Sequence, residues 1–158
     1  MTTLVLASAS PRRRELLEAA GYRVSVDPPH VDESPRSGES PRALVERLAR
    51  AKARRVANRH PRAVVIGADT VVVAGARLLG KPRSLSHARE MLNMLAGSEH
   101  RVMTGVCVCR LRPPFSRCWT TVSRVVFRKL TRAILDRYLD AVDPLDKAGG
   151  YAIQEHGE

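Results

Sequence analysis

Four short stretches of this chain combine small residues, hydroxyls and charge in a way that suits phosphate chemistry. They are Ser8-Ala9-Ser10-Pro11-Arg12-Arg13, Gly67-Ala68-Asp69-Thr70, Gly80-Lys81-Pro82 and Asp146-Lys147-Ala148-Gly149. Ser8 and Ser10 fall between an apolar run and a helix start. Backbone N–H groups at such a start point outward with partial positive charge, and they attract phosphate oxygens. The two hydroxyls and Arg13 would add donors, and Ser10 is expected to cap the helix on either reading. Asp69 follows the buried-type run Val64-Val65-Ile66-Gly67-Ala68. An acid at the end of such a strand sits where α/β folds place active sites. Its functional reading is a metal ligand or a base that orients water. The bland alternative is a turn residue bonded to local backbone. The β-branched run from Thr70 onward argues against an ordinary turn.

Glu33 stands in an acidic, proline-rich loop, where it could complete a metal site with Asp69 or simply be solvated. Lys81 and Lys147 could each grip phosphate as a point charge, although either alone also reads as a surface lysine. The five histidines show no ligand spacing. P-loop and Gly-x-Gly-x-x-Gly patterns are absent, as is the Gly-x-Ser-x-Gly elbow. Together the stretches make a kit for holding a polyphosphate and a divalent metal, so a nucleotide-processing enzyme is the leading reading.

The elements that must position these residues follow from pattern. Residues 4–7 read as a buried strand. Ser10-Pro11 opens a helix that Gly21 ends, with Leu16, Leu17 and Ala20 on its apolar side. Tyr22–Val26 alternate as a second strand, and residues 27–40 form a loop. Ser40-Pro41 opens a helix that carries Leu44, Val45, Leu48, Ala49, Ala53 and Val56 inward. Arg47, Arg50, Arg54 and Arg55 lie on its other side. Ala63–Gly67 and Thr70–Val73 read as two strands, with a hairpin turn at Gly75. Ser84 or Ser86 opens a third helix, closed by Gly97. His100–Leu111 and Cys118–Phe127 pair around Pro113-Pro114, Thr131 caps a last helix, and Tyr151-Ala152-Ile153 begins one more strand. Strands alternating with helices, plus a hairpin region, indicate an α/β fold with a mixed sheet.

The chain has 158 residues, so one domain is expected. With 44% hydrophobic but only 4% aromatic residues, Leu, Val and Ala must fill the core. No apolar run approaches the roughly 20 residues of a membrane span. No basic region precedes the first strand, which argues against a signal peptide. These features point to a cytoplasmic protein without membrane partners. Cys107, Cys109 and Cys118 fit no metal spacing and read as buried thiols. The net charge of +11 suits polyanions, yet only four of the 27 cations are Lys, and the Arg residues form no single patch. A solvated surface accounts for most of them. A basic nucleic-acid-binding module is the rival reading, disfavoured because no aromatic stacking platform accompanies the charge.

Taken in order, the segments resemble the Maf family of nucleoside triphosphate pyrophosphatases. The matching pieces are Leu6–Leu17, Val31-Asp32-Glu33, Gly67–Val72, Leu79-Gly80-Lys81-Pro82, His100–Val106 and Asp146–Gln154. The resemblance implies a mixed twisted sheet flanked by helices with a deep cleft, related to the inosine triphosphate pyrophosphatases. It implies hydrolysis of a nucleoside triphosphate to the monophosphate and pyrophosphate, with magnesium or manganese. By position, Asp69 matches the catalytic acid-base residue and Glu33 a second acidic residue at the metal. Ser8, Arg13, Lys81 and Lys147 match the phosphate clamp, with Ser10 in support. Arg12, Thr70 and Gln154 match positions tied to base selection, and Thr70 and Gln154 resemble the branch acting on dTTP and UTP. The family normally continues past the Tyr-x-Ile-Gln segment with a glycine-rich turn, a strand and a terminal helix. The single Maf-like domain, 1–158, is therefore expected to lack that strand and helix, and His156 stands where the glycine-rich turn is expected. A catalytically weakened relative acting in cell division or septum inhibition is the alternative this departure raises. The oligomeric state stays open, a homodimer included.

Overall fold

Four helices flank a mixed six-stranded sheet in the computed structural model, which describes residues 3–155. In chain order the elements are β1 (Leu4–Ala7), α1 (Pro11–Ala19), β2 (Val24–Val26), α2 (Pro41–Ala57), β3 (Val64–Ala74), β4 (Arg77–Leu79), α3 (Leu85–Leu95), β5 (Glu99–Arg110), β6 (Phe115–Val126) and α4 (Arg132–Ala141). A 3₁₀ turn follows at Ala148–Gly150. The strands run in the order β2-β1-β3-β5-β6, with β4 antiparallel on β3. β1 lies parallel to both β2 and β3, pairing Leu4 with Val24 and with Val64. The expected α/β fold with a mixed sheet is thus the observed one. His156, where the glycine-rich turn was expected, lies outside the described residues.

The chain forms two compact units, one of Met1–Asp69 with Thr104–Thr121 and one of Thr70–Met103 with Val122–Glu158. In the first, α2 buries Val45, Leu48, Ala49, Ala53 and Val56, as its spacing predicts. Ala49, Ala53 and Val56 meet Val5, Ala7, Val65, Cys107 and Cys109 from the sheet. Small residues let the helix lie very close. A Cβ on Gly67 would collide with the Ala49 carbonyl, and one on Gly105 with the Val45 carbonyl. In the second unit, Leu92, Leu135 and Leu139 join α3 to α4, and Val72, Leu79, Met91 and Leu95 form a further cluster.

Several expectations need correction. Thr70–Val73 does not start a second strand: β3 is one uninterrupted strand of 11 residues, with Asp69 inside it rather than at its end. The carboxylate is tolerated there because it has a buried cationic partner, described below. Helix α1 buries none of its residues, and Leu16 is 66% exposed. Five of its nine residues are charged, which leaves no apolar stripe wide enough to cover a sheet. Ser10 occupies the N-cap position of α1, but its side chain makes no cap hydrogen bond. Its N–H donates instead to Ser8 Oγ at 3.2 Å. Tyr151–Ile153 forms no strand. The Ala152 N–H donates to Tyr138 Oη at 3.1 Å and the chain turns, with the Glu155 N–H reaching the Ala152 carbonyl. Cys107 and Cys118 are disulfide-bonded, their Cα atoms 4.1 Å apart, so only Cys109 is a free thiol. Neighbouring strands bring directly opposite residues this close.

Candidate active site

The first unit holds six of the expected site residues, Ser8, Ser10, Arg12, Arg13, Glu33 and Asp69, on and around β1, β3 and α2. Ser8 follows β1 and is buried. Its Oγ accepts from Arg13 Nη1 at 3.1 Å, and the same Nη1 donates to the Ala68 carbonyl at 2.9 Å. Arg13 is therefore fixed across the first turn of α1, tied to both the Ser8 side chain and the β3 backbone. Burial pulls its pKa down from the ordinary guanidinium value, and the Asp69 charge opposes that pull. Arg12, half-buried, stands beside it on the same turn.

Asp69 is 7% exposed on β3. Its Oδ1 accepts from Lys52 Nζ at 2.6 Å, and Glu33 Oε1 lies 2.7 Å from that same Nζ. Two carboxylates thus converge on one ammonium. Burial pushes the Asp69 carboxyl above the ordinary carboxylate range, and Lys52, by charge and hydrogen bond, holds it back. Glu33 adds to the upward push and Arg13 opposes it.

Lys52 is the residue that the sequence reading did not single out. Its signal was its register. It sits three residues after Ala49 and four before Val56, on the stripe of α2 that faces the core. A lysine on that stripe must be paired or strained. It is 7% exposed and doubly paired.

A divalent metal is implied by the family resemblance. Among the described residues no group of three or more metal-ligating side chains occurs. Mg²⁺ needs no such cage, since it is commonly held by one or two carboxylates with substrate phosphates and water. The converging oxygens of Glu33 and Asp69 fit that donor chemistry.

The second unit holds the remaining expected residues. Thr70 is half-buried on β3. Lys81 is exposed just past β4, and the Gly80 carbonyl accepts from the Gly149 N–H at 2.9 Å. That bond joins the Lys81 segment to the Lys147 turn. Gly149 has φ 73°, and a Cβ there would also press on Val72 Cγ2 at 2.9 Å, so the turn requires glycine. Lys147 is 4% exposed and its Nζ is fully engaged. It donates to the Asp143 carbonyl at 2.6 Å and pairs with Asp146 Oδ1 at 2.8 Å and Glu155 Oε2 at 3.0 Å. Gln154 is exposed and borders a cavity of about 990 Å³ shared with Phe127, Ile134, Tyr138 and Ile153.

Residues 3–158 match the family model described as Maf, Maf-like protein. This chain is a member of the Maf family. The dTTP/UTP pyrophosphatase of Myxococcus xanthus is 49% identical to this Maf chain over 156 residues, covering 99% of the chain and 78% of the relative. That of Syntrophus aciditrophicus is 44% identical, over 98% of the chain and 75% of the relative. That of Geobacillus sp. is also 44% identical, over 98% and 82%. No described helix of the Maf chain is long and apolar enough to cross a membrane.

Proposed function

We propose that this Maf chain hydrolyses dTTP and UTP to the monophosphate and pyrophosphate, in the cytoplasm. The observation that carries this reading is the buried Lys52–Asp69 pair with Glu33 on the same ammonium, in one unit with Ser8 and Arg13. The relatives named above carry the substrate assignment. Water attacks the α-phosphorus, the bond to the bridging oxygen breaks, and pyrophosphate leaves with the electron pair. Asp69, anchored through Oδ1, orients the water and takes its proton on Oδ2. Lys52 keeps the carboxylate ionised and fixed until then.

Ser8 and Arg13, with the helix start that Ser10 opens, hold phosphate oxygens and stabilise charge developing on the leaving group. Lys81 and Lys147 add positive charge by their match to the family's motifs. Lys147 must exchange an acidic partner to do so. Arg12, Thr70 and Gln154 select the base. Glu33 and Asp69 would hold a magnesium or manganese ion, which supplies charge neutralisation at the phosphate oxygens when bound. A homodimer is compatible with this scheme.

Chromatography of the products tests it. UTP should yield UMP and pyrophosphate, whereas orthophosphate released from the γ-position would overturn the assignment.

A further inference from the structure

Glu33 is 57% exposed in its side chain and sits on a loop without regular structure, yet it is aimed at Lys52. Something must set its position, and the contacts around it name the residue. Arg47 lies five residues before Lys52 on α2. Its guanidinium forms a fork with Glu39, Nε to Oε1 at 2.6 Å and Nη2 to Oε2 at 2.8 Å. Glu39 directly precedes Ser40, the N-cap of α2, so both ends of the fork are fixed by the helix. The fork then ties down the loop twice. Arg47 Nη2 donates to the Ser34 carbonyl at 3.0 Å, and Glu39 Oε2 accepts the Arg36 N–H at 3.1 Å. On the other side of Glu33, Asp32 Oδ1 accepts the Ser34 N–H at 2.9 Å and closes a tight turn around it. Planar two-point pairing of this kind fixes geometry as well as charge. The strength of the pairing shows in Glu39, whose carboxyl Arg47 pulls down to about 2.

We infer that Arg47 is a positioning residue: with Glu39 it clamps the 32–36 loop to α2 and so holds Glu33 against Lys52 and the Asp69 carboxylate. The inference rests on the reading above that Glu33 works at the reaction centre. It assigns to the solvent side of α2 a role in the chemistry that the buried side carries out. Arg47 acts mainly through Glu33, its direct charge interaction with Asp69 being the weakest of those it makes, and this distinguishes it from a residue that merely stabilises the fold.

A double-mutant cycle tests it, with Arg47→Met made alone and in a Glu33→Gln background. Coupled residues show non-additive effects, so Arg47→Met should lower kcat/KM for UTP by about tenfold alone and by less than about twofold once Glu33 is gone. Arg47→Lys should recover little, because a lysine cannot form the fork. Equal losses in both backgrounds, or no loss in either, would overturn the inference. A second readout needs no substrate. Tryptic cleavage after Arg36 should be faster by about tenfold in Arg47→Met, as a loop released from its ties opens more often, and unchanged in Glu33→Gln. An unchanged cleavage rate in Arg47→Met overturns the clamp. If the unmodified chain fails to hydrolyse dTTP or UTP, the functional reading falls, and the cleavage rates still decide the clamp. Should Arg47→Met not fold, Glu39→Gln removes the charge of the fork while leaving the α2 cap in place, and carries the same tests.

Discussion

Lys52 Nζ lies 2.6 Å from Asp69 Oδ1, with both side chains almost wholly withdrawn from solvent. The contact joins the inner face of α2 to the middle of β3. Removing one member of such a pair leaves an uncompensated buried charge, which protonation must then relieve. Asp69→Asn keeps the shape and removes the base, so turnover should fall by roughly 10²–10⁴. Lys52→Met takes away the group that opposes desolvation of Asp69. The Asp69 pKa should rise further, and the acid limb of the rate profile should move to higher pH. The check is kcat against pH for the unmodified protein and both variants. Retention of most activity by folded Asp69→Asn would remove Asp69 from the chemistry.

Gly67 and Gly105 let α2 approach the sheet backbone closely. Gly67→Ala should lower stability by about 1–3 kcal/mol, the usual cost of overpacking. It should also lower kcat, because moving α2 outward moves Lys52. Urea denaturation and steady-state rates on the same preparation measure both. A variant as stable as the original would mean that the contact is soft.

His100 is 2% exposed, with Nε2 2.6 Å from Tyr151 Oη and, among the described residues, no hydrogen-bond partner for Nδ1. Burial lowers its pKa below the ordinary imidazole value. The unfolded chain therefore binds this proton more readily than the folded one. Stability is full above the unfolded pKa of about 6.5 and is lost as pH falls through the lower folded value. The melting temperature should drop on going from about pH 7.5 to pH 5.5. His100→Phe should start from a lower melting temperature and show a flatter dependence over that range. Parallel slopes would assign the pH effect to other groups.

Gln154 offers both a donor and an acceptor to the imide edge of uracil or thymine. It is exposed, so replacing it should not disturb folding. Gln154→Ala should narrow the ratio of kcat/KM for UTP over CTP. An unchanged ratio would show that base choice is made elsewhere.

The elements were legible where one signal was local. Ser40-Pro41 and the spacing from Leu44 to Val56 defined α2 without reference to the rest of the chain, and Thr131 located α4 in the same way. Asp69 was recognisable as a site residue, yet its place inside β3 was not. An acid within a buried strand is stable only with a partner, and that partner lies 17 residues away on another element. Lys52 escaped notice for the complementary reason, since one lysine in an arginine-rich helix looks like solvated surface. The ties of Lys147 to Asp143, Asp146 and Glu155 depend on how one short turn folds. The strand expected at Tyr151–Ile153 failed because pattern supplies no pairing partner. In the structure Tyr138 takes the Ala152 N–H instead.

The scarcity of lysine has a practical consequence. The four lysines are Lys52, Lys81, Lys129 and Lys147, and only Lys52 belongs to the unit that contains Asp69. Within that unit, side-chain ammonium chemistry is thus a one-residue signal. A lysine-selective acylating reagent, read out by peptide mapping, would have Lys52 as its one lysine target in that unit. Its reactivity would read directly how often Glu33 and Asp69 release it.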